Sequence, residues 1–220
     1  TALAEIEDKR ELVQLLSAAI DDELIDNASL ATLLTWDSLE LPLKQAIALR
    51  LIGSGGEVDA APFRESLEVE LTDAISAARL LQYALGALVL AEAGDAAGKP
   101  ALEQLAKQQG SMPDAVIAQV LDAAMRQSFT SAGPLSLLIA KDVKRPASLR
   151  LIAVQSAMRL GQAGATDTWQ AMFRAEESSA QRIRLAMIAL DASEQVQPAF
   201  FDALAKNGEW IDHIAASGRA

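Results

Sequence analysis

The sequence contains no cysteine and a single histidine, His213. The first absence excludes disulfides, thiolate nucleophiles and cysteine-based zinc sites. The second excludes any metal site built on two histidines. A catalytic serine set would have to centre on His213, which stands beside Asp212 near the end of an expected terminal helix. A surface histidine facing the helix dipole is the simpler reading. Aromatic residues make up only 4% of the chain against 51% hydrophobic residues, so the apolar content is aliphatic. With β-branched and aromatic residues scarce, strands are disfavoured. Long apolar runs are missing too. The most apolar stretch, residues 84–91, is bounded by Gln82 and Glu92 and falls well short of the roughly 20 residues a membrane-spanning helix needs. The chain opens on Thr1 with no secretory leader, which reads as a matured or trimmed product. The expected compartment is open between cytoplasmic and exported.

Positive charge is also in short supply. The net charge is −11, and residues 1–110 carry all of it, with 8 Lys/Arg against 19 Asp/Glu; residues 111–220 hold 11 of each. An acidic chain repels phosphate backbones, so no nucleic-acid partner is expected. The acids keep an alanine- and leucine-rich surface in solution.

What the chain has in quantity is alanine, at 44 positions. Alanine loses no side-chain entropy in a helix and lets helices approach closely. Residues 4–20 place Ile6, Val13, Leu16 and Ile20 on one side of a helix. Asn27 and Ser29 are candidate caps for a short helix through Leu34, and Asp37 with Glu40 has capping-box spacing before a helix over 41–52. The glycines of residues 53–56 stop that helix. A short helix over 61–68 and a long one over 72–93 follow. Further helices are expected at 100–109, 113–127, 134–140, 147–161, 168–175, 179–192, 198–206 and 209–216, with Ser178 and Gln181 as a second capping box.

A repeat underlies this series. An Ala-Leu or Ala-Met pair recurs late in successive helices, beginning at Ala48, Ala87, Ala124, Ala157 and Ala189, at intervals that shorten along the chain. A short helix follows each break and often opens near proline (Pro62, Pro100, Pro134, Pro198), where a missing N–H costs nothing. Thr166 and Asp167 take that place in the fourth unit. When Ala157 is laid on Ala189, Trp169 falls on Phe201 and Met172 on Leu204.

Over residues 38–206 this pattern resembles HEAT-like helical repeats. The residues that carry the likeness are the prolines at short-helix starts, the turn acids Asp142 and Glu176 or Glu177, the arginines Arg150 and Arg182 or Arg184 opening the next helix, and the late Ala-Leu pair. The period is shorter than the ~40–47 residues usual for that class. A tetratricopeptide array has a nearer period of ~34 residues, but its Trp, Gly and Tyr positions are not met. The resemblance implies an all-α, right-handed α-solenoid of about five helical hairpins forming one domain over 1–220. Residues 1–36 would be an N-terminal helical cap and residues 37–220 the repeats, because one hairpin cannot bury its apolar face alone.

No motif converges on chemistry. The Gly53–Gly56 run lacks the third glycine of a dinucleotide loop and follows a helix rather than a strand. Carboxylates at Glu65/Glu68 and Glu176/Glu177 read as solvated helix ends, and Trp36, Trp169 and Trp210 as packing anchors. The tripeptide at Asn27 matches a glycan acceptor but serves better as a cap. No catalytic residue, metal site or cofactor is therefore expected. The candidate partner-binding residues are Lys141, Lys144, Arg145, Arg150, Arg182 and Arg184, either ion-paired to the turn acids or forming a ridge for an acidic protein partner. The expected function is a non-catalytic, protein-binding scaffold. Two alternatives remain: a structural segment of a larger, exported or cytoplasmic protein, and an enzyme of the HEAT-like lyase type.

Overall fold

Polar stops separate alanine-rich stretches, and each stretch closes into a helix. A computed structural model describes residues 25–72 and 74–191 of the chain. Every regular element among them is helical, with no strand. None of these helices is long and apolar enough to cross a membrane. The helices expected over 4–20, 198–206 and 209–216, and with them Phe200, Phe201, Trp210 and His213, lie outside the described residues.

The described residues fall into two compact units that divide between Ser111 and Met112. The first holds α1 (Asn27–Leu34), α2 (Leu41–Gly53), a 3-10 segment (Ala61–Leu67), α3 (Ala77–Glu92) and α4 (Gly98–Lys107). The second holds α5 (Asp114–Arg126), α6 (Gly133–Lys141), α7 (Ala147–Arg159), α8 (Ala165–Ala175) and α9 (Ser179–Asp191).

Capping chemistry sets the starts. Asp26, rather than Asn27, caps α1, accepting the Ser29 N–H at 2.8 Å. That bond and the Ser29 hydroxyl hold the Asp26 carboxyl below its ordinary pKa. Glu40 takes the N-cap position of α2, with no cap bond from its side chain to the helix and a proline in the first turn. The long helix expected from residue 72 begins at Ala77, because the Ser76 hydroxyl accepts the Arg79 N–H at 3.3 Å and fixes the start there.

The ends are more uniform than the starts. Four long helices finish in the same two-bond turn. Gly55, Gly94, Ser128 and Gly161 each donate to the carbonyl three residues back, while Gly56, Asp95, Phe129 and Gln162 donate to Leu51, Leu90, Ala124 and Ala157. This is the Schellman pattern, and it needs a left-handed residue at its centre. The four central residues have φ of 80°, 79°, 58° and 65°. Their intervals shorten along the chain, as those of the alanine pairs do.

In the first unit, Leu30, Leu33, Leu39, Leu43, Ile47 and Leu51 form one apolar cluster between α1 and α2. Helix α3 packs on α2, on the 3-10 segment and on α4. Its contact with its neighbours is close: a Cβ on Gly86 would lie 2.1 Å from Ser66 Oγ and 3.1 Å from Gln45 Nε2. Gln45 is fully buried and donates to the Gln82 carbonyl at 2.7 Å, tying α2 to α3.

In the second unit, α7 is the hub, packed by α5, α6, α8 and α9. It is buried through Leu149, Leu151, Ala153, Val154, Ala157 and Met158. Trp169 and Phe173 of α8 are fully buried with ring centres 5.5 Å apart. The Trp169 indole N–H donates to the Leu185 carbonyl of α9 at 2.8 Å. Trp169 is therefore the packing anchor its composition suggests, whereas Trp36 keeps 37% of its surface exposed.

Candidate docking cleft

Helix α8 is built with two unlike faces. Trp169 and Phe173, four residues apart, turn inward. Residues offset from them by about half a turn must then face outward. Asp167, Ala171 and Ala175 do so, each one turn from the next and each exposed. Two of these three end at Cβ, so the outward stripe of α8 is shallow.

That stripe forms one wall of a cleft of about 510 Å³. Gly164, Thr168 and Met172 complete the α8 side, and the opposite side comes from Ala140 and Lys141 at the end of α6 with Arg150 near the start of α7. The volume lies within the roughly 300–1,000 Å³ range of ligand-sized clefts. The Thr168 hydroxyl is turned away to its own helix, donating to the Gly164 carbonyl at 2.9 Å. Arg150 is half-buried and donates through Nε to the Ala140 carbonyl at 3.0 Å, so its guanidinium is anchored at the C-terminal end of α6. Such a bond also satisfies a carbonyl that a helix end leaves without an intrahelical partner.

The six cationic residues read from the sequence divide by environment. Lys141 and Arg150 come together on the cleft. Lys144 is exposed on the turn between α6 and α7. Arg145, on the same turn, points inward with 10% of its side chain exposed. It donates to the Met112 carbonyl at 2.8 Å, pairs with Asp114, and lies 3.8 Å from Asp142. Arg145 thus holds the α5 start to the α6–α7 turn. On α9, Arg182 lies over the Phe173 ring, 5.0 Å from its centre, in cation–π geometry. Arg184 is exposed on the same helix and, like Arg182, does not line the cleft.

The turn acids are used locally. Asp142 accepts the Lys144 N–H at 3.0 Å and Glu176 accepts the Ser178 N–H at 2.9 Å. Glu65, Glu68 and Glu177 are exposed, as solvated helix ends should be. Ala171 and Ala175 were not among the residues singled out from sequence, and Asp167 was read there only as part of a short-helix start. The signal for the two alanines was present in their alternation with Trp169 and Phe173. Exposed apolar residues also flank the cationic turn: Leu138 is 41% exposed and Val143 77%.

No protein-family model matches the chain, and neither does any curated protein or solved structure.

Proposed function

We propose that the protein is a non-catalytic, protein-binding scaffold. Its helical hairpins are arranged as a HEAT-like α-solenoid, and its second unit carries the docking surface. The observation behind this reading is the α6–α7–α8 cleft, where three successive helices leave a groove with a shallow alanine wall and two cations opposite. Stacked helical hairpins commonly present such inter-helix grooves to partners. The recurrence of one helix-ending turn at Gly55, Gly94, Ser128 and Gly161 supports the hairpin repeat. Exposed Val143 and Leu138 beside the cations supply apolar area of the kind found at the centres of interfaces.

The reading is tested by placing a photoreactive amino acid at Ala171 in the native host. The expected result is one discrete adduct, identified by mass spectrometry and lost when Lys141→Glu is also present. A smear of adducts, or a discrete one indifferent to Lys141→Glu, overturns it.

A further inference from the structure

The chemistry of the cleft narrows what it takes. Lys141 is exposed, while Arg150 is anchored at the C-terminal end of α6 by the Ala140 carbonyl. Both cations stand on one side of the groove, across from Ala171 and Ala175. Asp167, at the opening turn of α8, is the acid on the lining. The cleft therefore carries two cations from α6 and α7 and, from α8, Ala171 and Ala175 beside Asp167, Thr168 and Met172. Arg145 does not line the cleft and lies instead against Asp114 and Asp142.

We infer that the cleft binds an extended acidic peptide segment of a partner protein, with a carboxylate against Lys141 and Arg150 and small apolar side chains along Ala171 and Ala175. This rests on the scaffold reading and names the occupant of the same site. A carboxylate is recognised by a positioned guanidinium through charge-assisted hydrogen bonds. Small apolar residues fit against Ala171 and Ala175, whose side chains end at Cβ. A lone small anion would leave most of the roughly 510 Å³ unfilled. A nucleic acid needs a row of cations to follow its phosphates, and this cleft offers two beside an acid in a chain of net charge −11. Asp167 disfavours a long run of acids and favours one or two carboxylates followed by uncharged residues.

The test is fluorescence anisotropy with the full chain and a fluorescein-labelled peptide of sequence Glu-Glu-Ala-Ala-Leu-Ala. It is run at about 0.15 M salt, where charges beyond about 8 Å are screened. Saturable binding is expected, weakened at least about tenfold by Lys141→Glu and by Ala171→Trp. Lys99→Glu, an exposed lysine in the other unit, should leave it unchanged. The Gln-Gln-Ala-Ala-Leu-Ala peptide should bind at least about tenfold more weakly. Circular dichroism establishes that each variant keeps its helix content; if Ala171→Trp unfolds the chain, Ala171→Leu takes its place. Equal loss with Lys99→Glu, indifference to both cleft variants, equal binding of the glutamine peptide, or equal competition by a thymidine oligonucleotide or inorganic phosphate each overturns the assignment. If Ala171 still cross-links one partner while the glutamate peptide does not bind, the acidic occupant falls and the scaffold reading stands.

Discussion

Ser136 of α6 and Ser156 of α7 meet hydroxyl to hydroxyl at 2.9 Å with neither side chain reaching solvent. Ser136 also donates to the Ala132 carbonyl at 2.9 Å. A hydroxyl has one proton, so Ser136 accepts from Ser156, and the bond has a direction. Removing Ser136 leaves a buried donor without its acceptor. Removing Ser156 leaves Ser136 still donating to Ala132. Ser136→Ala should therefore cost about 1–3 kcal/mol and Ser156→Ala about 1 kcal/mol or less. The double variant should cost less than the sum. Urea midpoints of the four proteins measure the coupling, and strict additivity would remove the directional bond.

The close approach at Gly86 gives a second prediction. Alanine is the better helix former by about 1 kcal/mol, yet its methyl would sit 2.1 Å from Ser66 Oγ and 2.7 Å from Ser66 Cβ. Gly86→Ala should destabilise the first unit by about 1–3 kcal/mol through overpacking. Ser66→Gly in the same chain should recover part of that loss, because it removes both clashing atoms. Thermal melts of the single and double variants decide it, and a neutral Gly86→Ala would contradict the packing described.

Ser128 holds the left-handed position that glycine fills in the three other turns, at φ 58°. A side chain there costs roughly 1–2 kcal/mol of strain, offset in part by the greater unfolded-state entropy of glycine. Ser128→Gly should raise stability by about 0.5–1 kcal/mol, while Gly94→Ala should lower it by about 1 kcal/mol. Opposite signs in a denaturant titration are the expected outcome.

Arginines separate by role. Arg145, with three partners and 10% exposure, is structural. Replacing it with Ala should cost about 2–3 kcal/mol, since it leaves a backbone carbonyl and two carboxylates without their cation. Lys141→Glu and Lys144→Glu, at exposed positions, should change stability by about 0.5 kcal/mol or less. Chemical denaturation ranks the three, and a destabilised Lys141→Glu would return that residue to the core.

Asp95 gives the pH dependence. Its carboxylate accepts the Ala97 N–H at 2.9 Å and the Arg64 guanidinium at 2.6 Å, which together hold its pKa below the ordinary value. A folded-state pKa below the unfolded value of about 3.9 contributes stability that is complete above that value and lost as pH falls through the folded one. The stability difference between the natural chain and Asp95→Asn should be constant from about pH 7 to about 5 and shrink below about pH 4. Urea midpoints across that range and below it test the sign, and a difference that grows on acidification has the wrong one.

Much of the helical order was legible because helix periodicity is local. The break at Gly55 was readable because a left-handed turn favours a residue without Cβ, and the helix expected to 93 stops just before Gly94. The helix expected over 147–161 instead ends at Arg159, with Gly161 at the centre of its closing turn. The helix expected over 113–127 stops where it should, at Arg126, but serine carries no signal for the left-handed turn that Ser128 makes there. The alanine repeat also slipped. Ala48 and Ala87 stand seven residues before their left-handed turns, but Ala124 and Ala157 stand four before theirs. Positions three apart share a helix face, so all four are fully buried and the pattern tolerates a one-turn shift. The step from Gly94 to Ser128 is therefore three positions shorter than the step from Ala87 to Ala124.

The order of residues alone determined that the described chain is helical, where most helices begin and stop, and which alanines face inward, since each depends on neighbours within a few positions. It also supplied the cations around residues 141–150. Folding decided what those cations do. Arg145 met Asp114, distant from it in the chain, and was drawn mostly out of solvent. Lys141 and Arg150 met the bare alanine face of α8 and stayed on an open cleft. Charge partners and clefts are made by groups distant in sequence, and only packing in three dimensions brings them within the few ångströms over which they act.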